Sequence, residues 1–171
     1  MTPARILTGL TGLAVTAAIV SAAPVPAQAA TGAPTSVTGA SASATRLWGP
    51  YYAPGKKAKA SGTIKVTNLN TSSIPVVGTA LVTGKVRDYT KSSSVCGWAV
   101  FRVTYRKSDG SLPFTHKSYR TCGVTTPKSI SFSFPHTYEV ELKVCSEHKA
   151  AKPSLVCLYG GTWKVLYVSS H

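Results

Sequence analysis

From Thr63 onward the chain alternates apolar and polar residues with a period of two. Ile64 and Val66 alternate with Thr63, Lys65 and Thr67, the pattern of a half-buried strand. Val82, Gly84 and Val86 repeat it. Ala99, Phe101, Val103 and Tyr105 then share one face, while Val100, Arg102, Thr104 and Arg106 share the other. Ser108-Asp109-Gly110-Ser111 is a hairpin turn signal, since glycine tolerates the positive φ such turns need, and a return strand follows from Leu112 to Cys122. Ile130, Phe132 and Phe134 alternate with serines, and Tyr138, Val140, Leu142 and Val144 with Thr137, Glu139, Glu141 and Lys143. Leu155 to Tyr159 and Trp163 to Val168 read as two more short strands. No stretch with helical periodicity and ten or more residues follows the first thirty residues. About seven or eight short strands separated by turns predict an all-β antiparallel sandwich, immunoglobulin-like in general architecture, over residues 61–171.

The hairpin also predicts how the four cysteines pair. Opposed residues of a hairpin lie at equal steps from its loop. With Ser108-Asp109-Gly110 as a three-residue loop, equal steps bring Cys96 opposite Cys122, within reach of a disulfide. Cys145 and Cys157 are likewise placed symmetrically about Ala151, inside the polar run Ser146 to Pro153. No two cysteines have the close spacing of zinc ligand pairs, so two disulfides, Cys96–Cys122 and Cys145–Cys157, are expected, and neither a metal nor a cofactor.

Disulfides suit an exported chain, and the N-terminus reads as an address. Arg5 precedes an uncharged apolar stretch from Ile6 to Ala23, then Pro24, Pro26 and the small-x-small triplet Ala27-Gln28-Ala29. That is a secretory signal peptide over residues 1–30, which makes the mature protein secreted and extracellular. No later apolar run is long enough to span a bilayer. Thr31 to Thr45 is almost wholly Ala, Gly, Ser, Thr and Pro, with no apolar face to bury. Residues 31–60 therefore read as a flexible arm, ending in the aromatic and basic segment Leu47, Trp48, Tyr51, Tyr52, Lys56, Lys57 and Lys59. This segment either folds back onto the domain or serves as an extended docking element with those seven residues as partner contacts.

Composition narrows the chemistry. Of 171 residues, 19 are Lys or Arg and 5 are Asp or Glu, a formal net charge of +14. With so few carboxylates, calcium sites, two-metal sites and glycosidase acid pairs are hard to build. There is no Gly-x-Ser-x-Gly elbow, phosphate loop or dinucleotide fingerprint, and His116, His136, His148 and His171 sit in no recognisable motif, so surface histidine is the expectation for each. The sequence reads as a non-enzyme. Its dispersed cations, among them Lys65, Lys85, Arg102, Arg106 and Lys117, lack any nucleic-acid recognition motif. Anionic cell-wall polymers or an acidic protein are the better counterparts for that field, and lysines also blunt sheet edges. Trp98 and Trp163 fall within expected strands, where core packing is the default over sugar stacking.

The cysteine contexts Val95-Cys96-Gly97-Trp98-Ala99-Val100, Arg120-Thr121-Cys122-Gly123, Val144-Cys145-Ser146 and Val156-Cys157-Leu158, together with the alanine-rich leader and low-complexity start, resemble those of small secreted actinobacterial proteins. More narrowly, the chain resembles the adapter subunit of the umbrella toxin particles of filamentous actinobacteria, over residues 62–169 by pattern. The resemblance implies a non-catalytic adapter that joins a lectin-type subunit to the repeat-bearing stalk of a toxin polypeptide, with an extended N-terminal segment taking part. A different class remains open: a free-standing inhibitor of an extracellular hydrolase, presenting Gly123 to Lys128 or the disulfide-closed segment Ser146 to Val156 as a rigid loop. Plain cell-wall association is a third.

Overall fold

The computed structural model describes residues 44–124 and 126–169. The expected signal peptide and residues 31–43 of the arm lie outside the described residues, as do Thr125, Ser170 and His171. The described chain forms strands β1 (Arg46–Tyr52), β2 (Ala58–Asn70), β3 (Val77–Asp88), β4 (Val95–Tyr105), β5 (Phe114–Cys122), β6 (Lys128–His148) and β7 (Lys164–Val168), with a single 3-10 turn at Pro54–Lys56 and one short α-helix, α1 (Leu155–Tyr159). All pairings are antiparallel, in the order β1-β2-β3-β6-β4-β5, with β7 also on β6.

The two expected alternating segments from Lys128 to Val144 are one strand shared by two layers. The first part of β6 pairs with β3 as far as Thr137. From Thr137 onward β6 pairs with β4, and β7 lies on its other side at Glu139 to Leu142. The change comes at Pro135-His136, where His136 takes a left-handed φ of 52° and the register shifts against both neighbours. A local irregularity of this kind bends a strand and increases its twist. The sandwich thus has β1, β2, β3 and the start of β6 in one layer, and β5, β4, the end of β6 and β7 in the other. Between them lie Ile64, Val82, Val86 and Ile130 from the first layer, and Phe101, Val103, Val140 and Leu142 from the second. Buried Asp88 fastens one end, accepting hydrogen bonds from Thr90 N–H and Oγ1 and, across from β3 to the end of β5, from Gly123 N–H.

The hairpin register holds residue by residue, with the return strand beginning at Phe114 rather than Leu112. Lys107 N–H bonds to Ser111 O and Gly110 N–H to Lys107 O, closing a three-residue loop. Cys96 stands opposite Cys122 and is bonded to it, and Cys145 is bonded to Cys157. On β4, Ala99, Phe101 and Val103 enter the main core. Trp98 and Val100 face outward into a second apolar cluster with Cys96 and Cys157, against which Leu158 and Trp163 pack.

Three expectations are corrected. Leu155 to Tyr159 is helical, not extended. Ser154 caps it by accepting from Cys157 N–H, and Glu147 holds Ser154 through both its N–H and its hydroxyl. An N-cap side chain satisfies one of the otherwise unpaired donors of the first turn, which a short apolar run cannot reveal by periodicity. The folded domain also begins earlier than residue 61, because β1 pairs with β2 from Arg46↔Ile64 to Tyr52↔Lys59. Residues 46–60 are therefore part of the sandwich, not of an arm. Third, Trp48 is 4% exposed and belongs to the core.

Candidate functional site

The segment expected to contact a partner is divided by the fold. Between Trp48 and Tyr51 the register with β2 slips at Gly49-Pro50, and this bulge sets the two aromatics on the same side. Trp48 lies edge-on to Phe101 and Tyr51 packs against the same core. Leu47, at 86% exposure, and Tyr52, at 46%, point outward. Lys56 and Lys57 are exposed in the turn that follows, and Lys59 is half-buried in β2. Of the seven expected contacts, Trp48 is removed from any partner's reach. The others remain on or near the outer edge of the sheet, where β1 pairs with β2 alone among the described residues.

Tyr51 and Tyr52 also open a site that the sequence reading did not anticipate. With Ala53 and Pro54 they form one wall of a half-open groove of about 550 Å³. Val156 and Cys157 of α1, with Gly160 to Thr162, form the opposite wall, and Leu142 to Glu147 of β6 form the floor. The Cys145–Cys157 disulfide holds the helical wall to the floor. Lys143 Nζ donates to Gly160 O and secures the other end of α1. Leu155 and Val156, at 73% and 78% exposure, leave an apolar lip beside the opening.

A second cluster lies on the outer face of the second layer, around Trp163. Its indole is stacked by His116 at 5.7 Å, with Arg102 at 4.7 Å and Lys143 at 4.4 Å from the ring. Arg102 Nε bonds to Glu141 Oε2 at 2.5 Å. Burial, followed by the charges of Arg102 and Lys143, holds the His116 imidazole below its ordinary pKa. Burial and Arg102 also lower Lys143, partly offset by Glu141, whereas burial and the neighbouring Glu141 carboxylate raise Glu139, partly offset by Arg102. His116 is thus not the plain surface residue expected, while His136 and His148 are exposed. The alternation contained the signal: Val100 pairs with Lys143 and Arg102 with Glu141, so the register puts these charges side by side on one face. Trp163 lies just before β7, with its ring already engaged by three neighbours rather than buried within a strand. Among the described residues no three His, Cys, Asp or Glu side chains gather as a metal site would require.

The Trp163 cluster gives stability a dependence on pH. Well above about pH 6.5, His116 is neutral in both folded and unfolded chains and contributes no proton linkage. As pH falls, the unfolded chain binds a proton that the folded chain, with its lowered pKa, takes up less readily. The folded state therefore loses stability on descending from about pH 6.5 through the folded pKa. Glu139 acts in the opposite direction at lower pH, because its raised pKa means that protonation relieves a disfavoured charge. Denaturant titrations at pH 7.5 and about pH 5.5 should show a loss in the parent that His116→Phe reduces. Equal losses in both proteins would exclude His116 as the origin.

No protein-family model, no curated protein and no solved structure matches this chain.

Proposed function

We propose that this protein is a secreted, non-catalytic adapter that joins subunits of an extracellular toxin complex, a lectin-type subunit on one side and a repeat-bearing toxin polypeptide on the other. The observation that carries the reading is the exposed edge of β1. Residues 31–45 lead directly into an outer strand whose Leu47 is 86% exposed, beside a Trp48 that anchors the same strand in the core. An extended segment leaving such an edge can continue onto a partner by strand addition or by burying alternate side chains. The core-bound tryptophan supplies rigidity at the point where the contact begins, which reduces the ordering cost of association. The net charge, +14 for the whole sequence and one less without Arg5 of the signal peptide, favours partners or surfaces of opposite sign, anionic cell-wall polymers included.

The test is capture of secreted proteins from the source culture by the tagged mature chain, compared with a form lacking residues 31–43 and carrying Leu47→Asp. The parent should retain a lectin-type protein and a repeat-bearing polypeptide in fixed ratio. The altered form should lose at least one of them while keeping a melting temperature within a few degrees of the parent. Equal capture by both forms refutes the role of this edge, and capture of neither protein by the parent refutes the adapter.

A second reading, an inhibitor of an extracellular hydrolase, draws on the loop before α1. Arg120 donates to Ala150 O, Glu147 pins Ser154, and Leu155 projects beyond them. A braced loop with an exposed apolar tip is the form an active-site plug takes. Inhibition of secreted proteases or amylases by the purified chain, with no subunit capture, would favour this reading.

A further inference from the structure

β6 alternates the neighbour that its backbone addresses. Lys149 N–H bonds to Ser94 O on the β4 side at 2.8 Å, and Ser169 N–H bonds to Tyr138 O on the β7 side at 2.9 Å. Antiparallel ladders alternate in this way along a strand. The β4–β6 register runs unshifted from Val95↔His148 to Thr104↔Glu139. Odd-numbered residues from Glu139 to Glu147 thus bond to β4, and the even-numbered ones turn to the other side. β7 covers that side only as far as Leu142↔Lys164. Beyond it, Val144 and Ser146 turn their N–H and C=O groups into the groove, and no backbone group among the described residues bonds to them there. Buried Ser146 Oγ also has no hydrogen-bond partner among the described residues. The groove is therefore bounded by an unpaired length of sheet edge.

We propose that the groove accepts an extended acidic segment of a partner protein, which adds a strand to β6 beyond the end of β7. The partner's identity rests on the adapter reading; the docking site does not. Strand addition supplies main-chain hydrogen bonds for affinity, and side chains at alternate positions supply specificity. A segment of about four or five residues, rising about 3.3 Å each, spans the open edge. One set of its side chains meets Tyr52 and the Val156 lip. Charge selects the occupant. Exposed Lys164 lines the groove, and exposed Lys56 and Lys57 follow directly after its Pro54 wall, while Lys143 lines it with its Nζ already committed to Gly160 O. The lining carboxylate, Glu147, keeps its charge but turns it onto Ser154, which donates two hydrogen bonds to it, so the exposed lysines outnumber it around the groove. Residues 31–43 of this chain have no charged side chain, and a second mature copy brings the same excess of Lys and Arg, so neither complements the site.

The test uses the purified mature chain, residues 31–171, and a synthetic end-blocked peptide alternating glutamate and valine. Controls are the lysine–valine counterpart and an N-methylated acidic peptide that lacks donors. Amide hydrogen exchange is followed residue by residue. In the free protein, Val144 and Ser146 should exchange at least tenfold faster than Lys143 and Cys145. The acidic peptide should slow them, neither control should, and Lys164→Glu, an exposed change, should weaken binding at least fivefold. Three results overturn the proposal: no slowing by the acidic peptide, equal binding of the lysine peptide, or peptide contacts away from Val144 and Ser146. Protection already present in the free protein also overturns it. If lost on deleting residues 31–43, it names the arm as occupant; if dependent on protein concentration, it names a second copy. Because no partner is used, peptide binding without subunit capture refutes the adapter and leaves the docking site, and the converse refutes the docking site alone.

Discussion

Trp48→Ala is expected to lower the stability of the folded domain by about 3–5 kcal/mol, the usual cost of emptying a large aromatic site. The indole lies where β1, β2 and β3 meet. Gly62 and Gly84 stand opposite each other in the β2–β3 ladder, and a Cβ on either would come within 2.6 or 2.7 Å of the Trp48 ring. The ring thus occupies space that these two glycines keep open, against the edge of Phe101. Removing it leaves a void that the flanking backbone cannot close, since neither glycine has a side chain to move into it. Against the roughly 5–15 kcal/mol net stability of a domain, the loss is large. Urea denaturation measures it, and a loss below about 1 kcal/mol would place the indole outside the core. The same geometry sets where a deletion can safely end. Removing residues 31–43 leaves β1 intact, whereas removing residues 31–60 takes away an entire strand and should unfold the protein rather than merely disarm it.

The contrast between Trp48 and the β4–β5 hairpin shows what the sequence could and could not convey. The hairpin is local: a turn with a defined loop length fixes the register, and the register places Cys96 opposite Cys122 at a Cα separation of 4.1 Å. Trp48 depends on contacts distant in the chain, and its own neighbours, Gly49, Pro50 and Ala53, carry the composition of a linker. The available signal was indirect. Gly62 and Gly84 interrupt otherwise alternating strands, and glycine inside a strand often marks the close approach of another group. Helix α1 was hidden for a related reason, since its five residues are all apolar or aromatic and its helical state depends on Ser154 and on Glu147 from β6. The groove was the least legible feature. It arises where β7 stops short of the end of β6, a difference in strand length that side-chain alternation does not record.

Replacing both Cys96 and Cys122 with alanine is expected to cost about 3–4 kcal/mol, chiefly through the unfolded chain. The bridge spans 26 residues, and closing a loop of that length removes more unfolded-state entropy than the 12-residue span of Cys145–Cys157. Alanine is preferred to serine because Cys96 is fully buried in the apolar cluster with Trp98 and Val100, where a hydroxyl would lack a partner. The folded hairpin should persist, since its loop bonds at Lys107, Gly110 and Ser111 and its ladder do not depend on sulfur. The freed unfolded chain becomes more expanded, so the dependence of unfolding free energy on urea should steepen while the midpoint falls. A lower midpoint with an unchanged slope would instead assign the bridge to folded-state packing. Replacing Cys145 and Cys157 should separate stability from binding in the other direction. That change costs about 3 kcal/mol by the same reasoning but releases the helical wall of the groove. Affinity for the acidic peptide should therefore fall under conditions where the domain is still folded, whereas the Cys96–Cys122 variant, once folded, should bind it as the parent does.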